Sequence, residues 1–182
     1  MLKTRRSVSL QFAALTLLSI LLACCATPKD LQHHVIISVK DQKLALLDRE
    51  TLVAIYPKIG DNAPLGTVFK DRRRTGEIVL PNAPGRDPIV TRILWLRGRE
   101  AQNANAFGRY IYIHGTPEDR NLGLPVSYGC VRMKSEDVIK LYDIVGTGAQ
   151  VTIVDAPLAT VVPAAAGETQ IVSTGNGGII VR

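Results

Sequence analysis

Apolar residues recur at alternate positions from Val35 onward. Val35, Ile37 and Val39 lead into the polar triplet Lys40-Asp41-Gln42, after which Leu44, Leu46 and Leu47 resume the pattern. A period of two describes short half-buried strands, and the polar triplet describes the turn between them. Further strands are predicted in "TLVAIYP", "IVTRILWL" and "RYIYIHG", separated by "GDNAPLGT" and "PNAPGRDP", where glycine and proline break any regular element. The period then changes. Ser135 is placed to cap a helix whose first turn carries Glu136 and Asp137, whose apolar stripe is Val138, Leu141, Tyr142 and Val145, and which Gly146 ends. "QVTIVD" supplies a closing strand, and the Ala/Pro-rich "APLATVVPAAAG" marks a boundary near residue 156. Residues 156–182 form a tail in which "QIVSTGNGGIIVR" is expected as a hairpin with a glycine-rich turn. The pattern therefore predicts a mostly β domain over 35–155 with one short helix, and the sequence shows no internal repeat and no glycine fingerprint for a nucleotide.

The first residues change the picture of what is mature protein. "MLKTRR" is cationic, and Phe12 to Ala23 is apolar apart from Thr16 and Ser19. Together they read as a secretory signal over 1–23. The apolar run is shorter than the roughly 20 residues a membrane span requires. "LLAC" resembles a bacterial lipobox, which nominates Cys24 for lipidation and residues 24–34 as a tether; ordinary cleavage after Ala26 is the alternative. Without residues 1–23 the formal charge falls from +6 to +3, because Lys3, Arg5 and Arg6 are lost and no acid is. A mildly basic protein of one-domain size suits a polyanionic envelope surface, and nucleic acid is not expected as a partner in that compartment. The expected location is the bacterial cell envelope, with the membrane reached through a lipid anchor.

Three cysteines remain to be explained. Cys24 is the lipidation candidate, Cys25 falls in the tether, and Cys130 stands alone in the body of the chain. No disulfide framework is available to it. A lone thiol in an oxidising compartment is buried or useful. His114 lies sixteen positions earlier, at the end of the alternating "YIYIH", and is followed by Gly115, where the backbone turns or lets a neighbour approach. His33 and His34 sit beside the tether and need no catalytic explanation. An imidazole base beside a thiol is the minimal requirement for cysteine nucleophilic catalysis, and Gly129 leaves its own amide and that of Cys130 to face an oxyanion. One Cys and one His do not make a zinc site, so neither metal nor cofactor is expected.

In order along the chain, "VIISVKDQKLALL", "APLGTVFK", "YIYIHGTPE", "SYGCVRM", "EDVIKLYDIV" and "GTGAQVTIVD" resemble the catalytic domain of the YkuD-type L,D-transpeptidases, enzymes that cross-link peptidoglycan. The resemblance spans Val35 to Asp155. It implies a β-sandwich or barrel-like fold, Cys130 as nucleophile, His114 as general base, and the Gly115 carbonyl holding the imidazole in one tautomer. Ser127, Gly129 and Arg132 match the residues flanking the nucleophile. Arg132 either steers a carboxylate of the stem peptide or braces its loop. Tyr128 stands where many members have a second histidine and is expected to line the donor pocket. The implied substrate is a peptidoglycan stem tetrapeptide, acylated onto Cys130 as a thioester with loss of D-alanine. The acceptor is an amine of another stem, a lysine of an envelope protein, or water, which would make a carboxypeptidase or endopeptidase. A lipoprotein that binds peptidoglycan without turning it over is the alternative from another class. The loops "DRRRTGEIVLPNAPGRDP" and "HGTPEDRNLGLP" are where the acceptor would be chosen.

Overall fold

In a computed structural model of the chain, the described residues are 28–48, 55–162 and 180–181. Signal segment 1–23, Cys24 and most of the expected tail hairpin lie outside them. The strands are β1 (His33–Ser38), β2 (Lys43–Asp48), β3 (Ile55–Ile59), β4 (Thr67–Lys70), β5 (Arg73–Ile78), β6 (Ile89–Leu96), β7 (Tyr112–Gly115), β8 (Val131–Met133), β9 (Gln150–Val154) and β10 (Ile180–Val181). Helix α1 is Ser135–Ile144, and α2 is a single turn at Leu158–Val161. The mostly β reading, with one substantial helix after the cysteine, holds.

Two sheets stack. One has the order β10-β2-β1-β9; the other runs β5-β4-β6-β7-β8, with β3 on the same edge of the long β6 as β4. Inward side chains of both sheets meet α1 in one core: Val35 and Ile37 from β1, Leu94 and Leu96 from β6, Ile113 from β7 and Met133 from β8 surround Val138, Leu141 and Tyr142. Fully burying a side chain of this size stabilises by roughly 1.5–3 kcal/mol. The helix stripe read from sequence is thus the face that packs.

Three expectations need correction. β1 and β2 are buried on both faces, because Ile36 of β1 and Ala45 and Leu47 of β2 turn outward onto Leu158 of α2 rather than to water. The chain after Asp155 is tied down there: Ser38 Oγ donates to the Ala156 carbonyl at 2.6 Å, and the Leu158 amide donates to Asp41 at 2.6 Å. Val39 belongs to the turn and is 47% exposed. Ser135 is the first helical residue and does not cap; Lys134 holds the cap position, and the buried Ser135 hydroxyl instead bonds Thr91 Oγ1 at 2.7 Å. Thr91 sits in an irregular stretch of β6 between its pairings at Val90 and Ile93, with a left-handed φ of 72°. That conformation is unusual for a β-branched residue. A hydroxyl buried at such a point needs a partner more than a solvated helix end does.

At the N-terminal side, the Asp30 amide donates to the Thr147 carbonyl at 2.8 Å, and the Asp30 carboxylate accepts from Gln32, His33 and the Gly146 amide. The last part of the expected tether is therefore fixed to the end of α1.

Candidate active site

Strands β7 and β8 run parallel with Ile113 opposite Val131, His114 opposite Arg132 and Gly115 opposite Met133. Ile113 and Met133 point into the main core, with Val131 packed against it. Alternation sends Tyr112, His114, Cys130 and Arg132 to the other face, where Cys130 packs against a second cluster of Ala63, Phe69, Ile93 and Tyr112. Imidazole and thiol are thus diagonal neighbours on one face, brought together by strand register although sixteen positions apart in sequence.

Each is held by its surroundings. His114 is buried, and its Nδ1 lies 2.8 Å from the Gly115 carbonyl. A carbonyl only accepts, so Nδ1 carries the proton and Nε2 is left to take one. Burial lowers the imidazole pKa below its ordinary value; the Gly115 bond and Asp87 oppose this, and Arg132 reinforces it. Gly115 has no room for a side chain: a Cβ there would lie 2.6 Å from the Val90 carbonyl oxygen. The half-buried Cys130 donates from Sγ to the Tyr110 carbonyl at 3.5 Å. Burial raises its pKa, against a backbone hydrogen bond from Tyr112 that lowers it. Both shifts favour the neutral thiol and neutral imidazole over a thiolate–imidazolium pair.

The flanking residues divide. Gly129 has a left-handed φ of 115°, which turns the chain into Cys130, and its amide donates to Ser127 Oγ at 3.3 Å. That amide, expected to face an oxyanion, is engaged by Ser127. Tyr128 is fully exposed, thrown to solvent by the turn at Gly129, and is not among the residues lining the cavity of about 250 Å³ beside Cys130. Arg132 pairs with Asp87, whose other oxygen accepts from Thr116 Oγ1. Its Nη2 is buried without a partner. The loop-bracing reading of Arg132 has a visible structural basis in this ion pair.

A cavity of about 250 Å³ opens beside Cys130, lined by Ile37, Gln42 and Lys43 from β1, β2 and their turn, by Leu124, and by Ser127 and Arg132 around the thiol. Loop 116–125 forms one wall and is stiffened from within: the buried Glu118 carboxylate accepts from Arg120 and Asn121. Sequence reasoning missed Asp87 and Thr116; an acid before a proline and a threonine after the histidine loop give no local sign of meeting. Among the described residues no group of three or more His, Cys, Asp or Glu is placed to hold a metal, and no helix is long and apolar enough to cross a membrane.

Comparison with known proteins gives concordant matches. The family described as YkuD, the L,D-transpeptidase catalytic domain, matches residues 32–153. The chain is 29% identical over 135 residues, 74% of its length, to a Bacillus licheniformis protein that bears the name L,D-transpeptidase YkuD, of which 73% is covered. A Salmonella typhimurium protein named L,D-transpeptidase ErfK/SrfK is 43% identical over 51 residues, covering 28% of this chain and 16% of that protein. The Escherichia coli protein named YbiS is 44% identical over 51 residues, 28% of this chain and 17% of the relative.

Proposed function

Because the chain belongs to the YkuD family of L,D-transpeptidase catalytic domains and is an enzyme of that type, we propose that it transfers the acyl group of a peptidoglycan stem tetrapeptide through a thioester on Cys130. What carries the proposal is the placement of His114 and Cys130 on one face of adjacent parallel strands, with the imidazole held by Gly115 so that Nε2 is its open nitrogen. Cys130 Sγ attacks the carbonyl of the third stem residue while its proton passes to His114 Nε2; a C–S bond forms. The tetrahedral intermediate collapses, the C–N bond to D-alanine breaks, and the imidazolium returns the proton to the leaving amine. An acceptor amine then attacks the thioester, His114 takes its proton, and the thiol is regenerated. The Cys130 amide is the oxyanion donor of this scheme, with the Gly129 amide able to join by exchanging its long bond to Ser127.

The cavity beside Cys130, bounded by loop 116–125 and the β1–β2 turn, is where the acceptor enters, and we take that acceptor to be an amine as in a transpeptidase. A diaminopimelate side chain of another stem, or a lysine of an envelope protein, fits that description. By the sequence alone, residues 1–23 direct export, and acylation of Cys24 holds residues 35–155 at the envelope. The test is incubation of the full-length protein in mild detergent with a disaccharide-tetrapeptide, followed by product chromatography. D-alanine release with dimer formation, lost in Cys130→Ala and His114→Ala, is the expected outcome. Release without dimer or other amine adduct makes the protein a hydrolase. Binding without release, equal in all three proteins, makes it a peptidoglycan-binding module.

A further inference from the structure

The face that carries Cys130 continues into a group of aromatic rings roofed by one arginine. Trp95 stacks on Phe107 with ring centroids 3.9 Å apart, meets Tyr112 edge-on at 5.7 Å and lies 5.9 Å from Tyr110. The Arg72 guanidinium sits 5.0 Å from the Trp95 ring centroid and 4.8 Å from that of Tyr110. Its Nη1 donates to the Tyr112 hydroxyl at 3.4 Å. These rings adjoin the thiol: the Tyr110 carbonyl accepts from Cys130 Sγ, and Cys130 packs in the cluster that contains Tyr112.

The position of Arg72 is set by backbone. Asp71 and Arg72 both have left-handed φ, 49° and 65°, between the paired Lys70 and Arg73 that close the β4–β5 hairpin. Two such residues make the tight turn whose twist matches the strands. Left-handed φ at non-glycine residues is uncommon and concentrates where structure over-determines it. Here it turns Arg72 back over the rings while Arg73 and Arg74 stay exposed.

Resting on the acyl-transfer reading above, we infer that Arg72 is the specificity residue that receives a carboxylate of the acyl donor. Trp95 and Tyr110, whose centroids are 5.9 Å apart, both cover the Arg72 guanidinium from one side, which leaves N–H groups on its other side for a bidentate anion. Only one weak bond, to a phenol, uses its N–H groups. No carboxylate among the described residues pairs with Arg72. The other arginine near the thiol, Arg132, is already neutralised by Asp87, and its remaining Nη2 is buried. Lys43 lines the cavity and is not part of the aromatic face. Among the described residues, Arg72 is thus a cation on the face of Cys130 with no carboxylate at ion-pair distance, its neighbour Asp71 acting on it only through a longer-range attraction. A stem tetrapeptide brings two carboxylates within a few bonds of the scissile carbonyl: that of the terminal D-alanine, and a side-chain carboxylate when the third residue is diaminopimelate.

Binding of peptide to the full-length Cys130→Ala protein tests this without turnover. Three tetrapeptides are titrated by calorimetry: one with both carboxylates free, one amidated on the third side chain, and one amidated on the terminal D-alanine. Arg72→Gln in the same background weakens the free peptide by about tenfold or more, the scale of a hydrogen bond to a charged group. For one amidated peptide that difference collapses, which names the carboxylate. If Arg72→Gln weakens all three equally, or none, the assignment is overturned and Arg72 is a brace of the hairpin. D-alanine release measured in parallel on proteins retaining Cys130 separates the two readings. Release with no Arg72 coupling removes only this inference, whereas coupling without release removes only the acyl transfer.

Discussion

The buried His114 and the half-buried Cys130 set the pH behaviour of the site. Desolvation disfavours the charged form of each, so the His114 pKa moves down and the Cys130 pKa moves up. A thiolate–imidazolium pair would need both shifts reversed. Alkylation of Cys130 by iodoacetamide is therefore predicted to accelerate by about tenfold per pH unit between pH 6 and 9, following the small thiolate fraction. A rate that stays flat down to pH 5 would show a preformed ion pair instead. His114 also couples pH to stability. Its folded pKa is depressed, so between that value and about 6.5 the unfolded chain binds a proton that the folded chain does not, and stability declines as pH falls through this window. Urea midpoints measured from pH 7 to pH 5 should show the decline in the wild type and a smaller one in His114→Asn.

Among the elements, β6 and β7 do most to position His114. Gly115 lies against the Val90 carbonyl, so Gly115→Ala forces the strands apart and moves the carbonyl that orients His114. Overpacking of this kind costs about 1–3 kcal/mol, and activity should fall further than the change in urea midpoint explains. Behind it, Thr91 Oγ1 accepts from the Gly66 amide at 3.0 Å and bonds the Ser135 hydroxyl, joining β6, the segment before β4 and α1 at one buried point. Ser135→Ala strips Thr91 of one partner and should lower stability by about 1–3 kcal/mol with an unchanged urea m-value. If Ser135 were a solvent-exposed cap, the loss would sit at the lower end and leave β6 undisturbed. Local rules see Ser135 before an acidic turn and assign a cap; only the fold brings Thr91 to compete for the hydroxyl. The strands themselves were legible because alternation is local, and so was the helix stripe. The buried outer face of β1 was not, since its cover comes from Leu158, more than a hundred residues away in sequence.

For the molecule as a whole, the legible part of the site is the part written in contiguous motifs. Cys130, His114 and Gly115 stand in "SYGCVRM" and "YIYIHGT" and could be named before any coordinate. Asp87 and Arg72 join them only through the ion pair to Arg132 and a hairpin turn, which no single segment encodes, and the two tyrosines of "YIYIHGT" meet Cys130 only through sheet register. The chain also fixes how the catalytic body meets its N-terminal segment. Asp30 closes on the Gly146 amide and on His33, and these hydrogen bonds outweigh the desolvation that would raise its pKa, so the net shift is downward. Its stabilising contribution is present at neutral pH and is lost as pH falls below the ordinary carboxylate value of 3.8 through the lower folded one. Asp30→Ala should cost about 1.5–3 kcal/mol at pH 7 by chemical denaturation, while D-alanine release at a temperature where the variant stays folded remains near wild type.

The central claim is that Cys130 becomes acylated by the stem peptide with His114 moving the proton, and intact-mass spectrometry of the full-length protein mixed with tetrapeptide tests it most directly. The account predicts an adduct equal to the tetrapeptide less D-alanine, mapped to the peptide containing Cys130, absent in Cys130→Ala and formed far more slowly in His114→Ala. An adduct on another residue, or one whose rate is indifferent to His114, would contradict it.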